Sequence, residues 1–242
     1  MSEAEAAGTD WAETLLAHCS LLVVAPHPDD ETLGCGGLIA LMATENRAIA
    51  VLFTTDGGAS HRSEAWPRER LADLRAREAN AALAALGAGH AARRRLGLRD
   101  ADMAPLGSPE GDAALAATRA FLKETSPDLV VLPWRRDPHR DHRDSHALVS
   151  RALADLRATP TRLEYAIWLD ELGRPEDHPR DGEMRRRALP IASILAAKHD
   201  AVAAHISQIT DLIDDPNGFR LTPETIARLT GPEEIYWEPV MA

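Results

Sequence analysis

The stretch Leu21-Leu22-Val23-Val24-Ala25-Pro26-His27-Pro28-Asp29-Asp30-Glu31 decides how this chain is read. Its first half is continuously apolar and partly β-branched, the pattern of a strand covered on both faces in a parallel sheet. Its second half crowds one imidazole and three carboxylates into residues 27–31, with Pro26 and Pro28 restricting the backbone around them. Acids packed this closely repel one another unless a cation offsets them. A turn in which Asp29 or Asp30 only caps the helix starting near Thr32 accounts for one acid. It leaves His27 and the second acid unexplained, so the stretch reads as a strand that delivers metal-type ligands at its carboxyl end.

Working outward, the strand pattern recurs. Arg47 to Phe53 runs into Thr54-Thr55-Asp56-Gly57-Gly58, Arg94 to Leu98 ends at Asp100, and Asp128-Leu129-Val130-Val131-Leu132-Pro133 is again a buried run; Arg162 to Leu169 is a further strand. Helical patterns over residues 32–44, 68–86 and 113–123 separate them. Strands alternating with helices imply crossovers, hence a Rossmann-like three-layer α/β fold with a mostly parallel sheet. One domain over residues 1–242 is expected, with a core of about 20–210 and a C-terminal extension over 211–242.

Other stretches give further expectations: a short helix over 10–18, a loop over 59–67 that covers a site, a Pro-rich rim loop over 170–190 and a long helix over 191–213. Thr222-Pro223-Glu224 opens a short helix and Ile235-Tyr236-Trp237 is a candidate strand. Gly34-Cys35-Gly36-Gly37 fails the dinucleotide fingerprint, which needs glycine where Ile39 stands. These small residues instead let the helix lie close to the sheet. Arg75 and Glu78, three apart on a helix, are expected to form a surface ion pair.

Directly after the fourth strand comes Trp134-Arg135-Arg136-Asp137-Pro138-His139-Arg140-Asp141-His142-Arg143-Asp144-Ser145-His146. Three histidines in eight residues are hard to explain as packing. A zincin helix is excluded because Arg143 stands where that motif needs Glu. In open α/β sheets ligands bind at the carboxyl ends of strands. Both polar clusters fall at such ends, so they are expected to meet in one site.

The formal charge of −11 and pI near 5.4 provide no basic face for a phosphate backbone, so no nucleic-acid partner is expected. No run approaches the roughly 18 apolar residues of a membrane span, and the acidic start lacks the character of a signal peptide; a cytoplasmic location is expected. Cys19 and Cys35 are too far apart for a C-x-x-C pair and are read as reduced and structural. Assembly into a homo-oligomer stays open.

Pro-His-Pro-Asp-Asp-Glu at 26–31 together with His-Arg-Asp-His at 139–142 resembles the PIG-L (LmbE-like) de-N-acetylase family. The likeness runs from about residue 20 to 210, with supporting pieces at Thr54-Asp56-Gly57, Arg75-x-x-Glu78, Asp100 after Leu96-Gly97-Leu98, and Lys198 with His205-x-Ser207-Gln208. The resemblance implies a Zn2+ held by His27, Asp30 and His142, with Asp29 as general base, His139 as electrostatic partner, and Asp141 orienting His139; the oxyanion chemistry that suits this set has His139 protonated, its charge kept through Asp141. It implies hydrolysis of the N-acetyl group of an N-acetylglucosamine-type amino sugar or glycoconjugate. An amidase for a larger conjugate and a non-catalytic metal-bearing binding protein are the alternatives. The chain departs from the family in having Arg140 where Pro is common, and a more basic and aromatic 134–137. Arg75, Asp100, Trp134 and Arg140 are the candidate substrate contacts. Arg135, Arg136 and Arg140 either meet a polar or anionic substrate group or pair structurally with Asp137 and Asp144. His205 is read as a buried, hydrogen-bonded histidine.

Overall fold

Continuous apolar runs become the central strands. In the computed structural model, which describes residues 11–156 and 159–240, these are β1 (Ser20–Ala25), β2 (Ala48–Thr55), β3 (Ala92–Leu98), β4 (Leu129–Pro133) and β5 (Thr161–Tyr165). With β6 (Met184–Pro190) and β7 (Glu233–Pro239) they form a seven-stranded sheet in the order β3-β2-β1-β4-β5-β7-β6. The first five pair in parallel, and β7 runs antiparallel between β5 and β6. The expected α/β fold with a mostly parallel sheet is therefore the observed one.

Side-chain alternation along the strands sorts the core into two layers. Leu21, Val23 and Ala25 pack with Leu38, Ile39, Met42, Ala79 and Leu83 from α1 (Asp30–Thr44) and α2 (Arg68–Ala85). Leu22 and Val24 face the opposite way, onto Phe121, Leu122, Leu148 and Val149 from α3 (Pro109–Thr125) and α4 (Arg140–Leu153). Burial on both faces is why these strands read as unbroken apolar runs rather than alternating ones.

Several expectations need correction. The 170–190 stretch is not a loop throughout: α5 (Leu169–Leu172) ends within it and β6 occupies its second half. The long helix over 191–213 is instead two helices, α6 (Leu195–Ala203) and α7 (Ile206–Ile209), interrupted at His205. After α8 (Pro223–Leu229), residues 233–239 form an interior strand, so the C-terminal part belongs to the sheet. Of the expected first helix, residues 11–16 are helical, and Asp10 lies outside the described residues.

The glycine run on α1 is a slot, in line with the expectation of close packing. A Cβ at Gly34 would overlap the ring of Tyr165 on β5, and one at Gly37 would fall 2.5 Å from Ile191 Cγ2 and 2.9 Å from Glu234 Cδ. Into that slot reaches a buried ion pair, Lys198 Nζ to Glu234 Oε1 at 2.6 Å. Glu234 also accepts from the main-chain N–H of Gly37 (2.6 Å) and Leu38 (2.9 Å), while Lys198 donates to the Leu33 carbonyl at 3.0 Å. The helix that begins with Asp30 is thus clamped from the far side by α6 and β7.

Candidate metal and catalytic site

Strand order reverses between β1 and β4, and the crevice at their carboxyl ends is where a doubly wound sheet binds ligands. The two polar clusters converge there. α1 starts at Asp30 rather than near Thr32, and Asp29 stands at its N-cap position without a side-chain capping bond, so capping does not explain either acid. His27 Nδ1 lies 3.2 Å from Asp30 Oδ2, and His142 Nε2 lies 3.3 Å from the same oxygen. All three residues are buried.

These three atoms fit a metal ion. Tetrahedral zinc with bonds of about 2.0–2.1 Å sets its ligand atoms roughly 3.3 Å apart, close to the separations found here. His142 is fully buried, and its Nε2 makes no hydrogen bond despite the nearby carboxylate. His142 Nε2 and Asp30 Oδ2 are thus close without being bonded to each other, whereas His27 Nδ1 is in hydrogen-bonding geometry with the same oxygen. Carboxylates stand behind both imidazoles, as expected where metal-bound histidines are oriented through their second nitrogen. Asp100 Oδ1 and Asp141 Oδ2 are each 3.2 Å from His27 Nε2, and Asp137 Oδ1 is 3.5 Å from His142 Nδ1.

The electrostatics follow from this crowding. Against burial, which would lower it, Asp30 and Asp137 lift the His142 imidazole to about 9. Burial also opposes charge on His27, yet Asp100, Asp141 and Asp30 together raise it well above the ordinary histidine value. Without a metal the site thus favours protons where a cation would sit. Burial raises Asp29 above the usual carboxylate range, opposed by the guanidinium of Arg75. Glu31, fully buried beside it, is pushed up to about 8 by burial and by the charge of Asp29.

Arg75 and Glu78 are not the surface pair expected from their spacing. Both are buried. Arg75 Nη2 bonds Asp29 Oδ2 at 2.9 Å and Nη1 bonds the Gly57 carbonyl at 2.8 Å, so it fixes the proposed base and the turn after β2. Glu78 accepts from Ser207 N and Oγ at 2.8 and 2.6 Å. Helical spacing was misleading because each residue faces a different partner inside the protein.

His139 and Asp141 are related differently from what the resemblance implies. The Asp141 carboxylate accepts from Ala101 N at 2.8 Å and faces His27; towards His139 it is the Asp141 main-chain N–H that donates, to Nδ1 at 3.2 Å. An Nδ1 that accepts is unprotonated, which places the neutral ring's proton on Nε2. Burial and, in the metal-free chain, the charges of His27 and His142 push His139 down to about 4.

A cavity of about 920 Å³ opens over the site, with His27, Asp29, Asp30, Arg75, Asp100 and His139 in its lining. Ala59, Ser60 and Arg62 of the 59–67 loop also line it. Trp134 and Arg140 do not. Trp134 is fully buried, donating through Nε1 to the Asp177 carbonyl at 2.7 Å, with its ring tilted 43° to that of Trp237 at 6.2 Å. Arg140 points to solvent and pairs with Asp144 at 3.1 Å, the one expected structural pairing that forms. Arg135 pairs with Glu164 and Arg136 with Glu183. Asp137 accepts from His139 N at 2.9 Å and from Ile167 N and Trp168 N at 3.3 Å, which positions it behind His142. That role was missed from sequence, although its place two residues before His139 was the available signal. His205 is buried as expected, its Nε2 3.2 Å from Thr32 Oγ1, and burial with the nearby Arg75 charge lowers it to about 3. Cys19 and Cys35 are both free thiols.

A Rossmann-order sheet with a buried His-Asp-His set and an adjacent acid at its switch point defines an α/β protein of the metallohydrolase type. The family model for "GlcNAc-PI de-N-acetylase" matches residues 22–153, which hold every residue of that set. The chain belongs to the PIG-L family. The 1D-myo-inositol 2-acetamido-2-deoxy-alpha-D-glucopyranoside deacetylase of Rhodococcus erythropolis is 33% identical over 78% of this chain and 81% of that protein. Its counterpart in Rhodococcus opacus is 30% identical over 78% and 82%. Among solved structures, the N,N'-diacetylchitobiose deacetylase from Pyrococcus horikoshii superposes with a TM-score of 0.65 at 21% identity, covering 87% of this chain and 81% of that one. The 4-carboxy-2-hydroxymuconate hydratase GalB from Pseudomonas putida gives 0.67 at 18%, covering 92% and 96%. At such identities these likenesses speak for the fold alone. Among the described residues, no helix is long and apolar enough to cross a membrane.

Proposed function

We propose that this chain removes the N-acetyl group from an N-acetylglucosamine-type amino sugar or its conjugate by metal-dependent amide hydrolysis. The observation that carries the reading is the convergence of His27, Asp30 and His142 on one point, with Asp29 lining the same cavity as His27 and Asp30. Two imidazoles and one carboxylate with room for a fourth partner suit Zn2+. Such an ion, when bound, supplies Lewis acidity that polarises an amide carbonyl and makes a water acidic near neutral pH.

The chain's own residues then supply the rest. Asp29, held in place by Arg75, accepts the proton of the attacking water. Negative charge developing on the carbonyl oxygen is met by the Nε2–H of neutral His139, a donor fixed in advance because Nδ1 is occupied by the Asp141 main chain. Asp29, now protonated, returns the proton to the leaving amine. Acetate and a free amino sugar result.

Curated relatives named for deacetylation of an acetamido-glucopyranoside support the substrate class. The test is metal analysis of the purified protein, followed by assay of free amine from a panel of N-acetylglucosaminides. About one zinc per chain, with amine release abolished by a chelator and restored by zinc, is expected. Full activity in metal-depleted protein refutes the reading.

A further inference from the structure

His27 meets three carboxylates, and only Asp30 stands on its Nδ1 side. Its other ring nitrogen, Nε2, lies 3.2 Å from Asp100 Oδ1 and 3.2 Å from Asp141 Oδ2. A ring nitrogen carries one proton at most, so two acids share a single donor. Both acids are buried, and their other bonds are to main chain: Asp100 Oδ2 accepts from Ala59 N at 2.9 Å and Asp141 Oδ2 from Ala101 N at 2.8 Å. Asp141 Oδ1, also buried, makes no hydrogen bond.

One turn sets both acids. Asp102 N donates to the Arg99 carbonyl at 3.1 Å, closing residues 99–102 beyond the end of β3, and Ala101 in the third position has a φ of 63°. Type II turns put glycine at that corner because a Cβ is strained there. Among the described residues, the other two non-glycine residues at positive φ, Asn46 and Ser126, follow helices, where the conformation is usual. Ala101 follows a strand and has no helix end to close. Its conformation instead serves the site, aiming the Ala101 N–H at Asp141 while the residue before it faces His27. Asp100 N is held as well, by Asp56 Oδ1 at 3.3 Å, and Asp56 is paired with Arg68.

We propose that Asp100 and Asp141 are a duplicated positioning pair for the metal ligand His27, held in register by the strained 99–102 turn, rather than a substrate contact and a partner of His139. Two anionic acceptors on one N–H keep the proton on Nε2, which leaves Nδ1 bare on the Asp30 side and makes it a stronger donor to a cation. Because either acid alone can hold that proton, each covers for the loss of the other. The proposal rests on the metal-dependent reading of the site, and not on the identity of the sugar.

The experiment measures Zn2+ affinity, by competition with a chromophoric chelator, for the unmodified chain, Asp100→Asn, Asp141→Asn and the double variant. Each single change is expected to weaken zinc by a few-fold at most, and the double change by the full 10–100-fold or so of a lost outer partner, more than the two single losses multiplied. Unchanged affinity in the double variant overturns the pair, as does a double loss equal to the product of the single ones. A second reading needs no variant. In the zinc-loaded chain, NMR of the ring nitrogens should show one metal-bound histidine protonated on Nε2, which is His27, and one protonated on Nδ1, which is His142. Two metal-bound rings both protonated on Nδ1 overturn the proposal. Absence of amine release from every N-acetylglucosaminide, with the zinc effects as stated, instead removes the reaction and leaves the positioning pair standing.

Discussion

Replacing Glu234 by Gln tests how the ligand-bearing helix is held. The carboxylate accepts from Gly37 N, Leu38 N, Tyr236 Oη and Lys198 Nζ at 2.6, 2.9, 2.7 and 2.6 Å. Glu234→Gln keeps the shape but removes the negative charge, so the fully buried Lys198 ammonium is left with neutral acceptors only, and the new amide NH2 meets N–H donors where a carboxylate oxygen accepted. Breaking one side of a buried pair costs about 3–5 kcal/mol. With roughly 2.1 cal/mol/K of unfolding entropy per residue, a chain of 242 residues should lose about 6–10 °C in Tm. Lys198→Met removes the stranded charge, so the double variant should be more stable than Glu234→Gln alone by about 2 kcal/mol. Urea melts of the four proteins provide the cycle. A loss below about 1 kcal/mol in the single variant, or a double variant as unstable as the two losses added, would refute the reasoning.

Three further outcomes follow from the same geometry. Asp29→Asn should retain zinc, because the ligand atoms are untouched, yet lose at least about 10²-fold in kcat; metal content and turnover measured together check this. His205→Gln should flatten acid destabilisation: the unfolded imidazole takes a proton near 6.5 and the folded one only near 3, so the unfolded state binds more protons between those values. Stability from this group is complete above 6.5 and is lost as pH falls towards 3, and the variant should show a slope of denaturant stability shallower by about 1.4 kcal/mol per pH unit between pH 6 and 4. Arg140→Ala should leave KM unchanged, since its side chain contacts Asp144 outside the cavity; a KM raised several-fold would return Arg140 to the substrate.

What could be read from sequence follows from where the physics is local. The parallel half of the sheet was legible because β1, β2 and β4 are buried on both faces and so are written as apolar runs. The Pro-His-Pro-Asp-Asp-Glu and His-Arg-Asp-His stretches were legible because their acids and imidazoles have no packing reason to cluster. Of the antiparallel half, β7 was legible at Ile235-Tyr236-Trp237 and β6 was not. β6 carries Arg185, Arg186 and Arg187 in succession and is at the sheet edge, so it looks like a loop. His205 interrupts a helical apolar pattern that periodicity alone continues. Arg75 and Glu78 have the spacing of a surface pair, and only the docking of α7 and of the loop before α1 gives each a separate buried partner. The apolar side chains of the cavity, Trp168, Leu172, Phe219 and Leu221, come from stretches with no motif and share its lining only once the chain is folded.

The position of β7 has a consequence for biosynthesis. Glu234 reaches back 197 positions to Gly37, and residues 233–239 fill the gap between β5 and β6. While a ribosome is still holding that segment, the arginine-rich β6 has no strand beside it and the first helix lacks its clamp. Maturation of the ion-binding pocket is therefore expected after translation has passed residue 239, and nascent chains stalled earlier should be sensitive to protease although most of the hydrophobic core has already emerged.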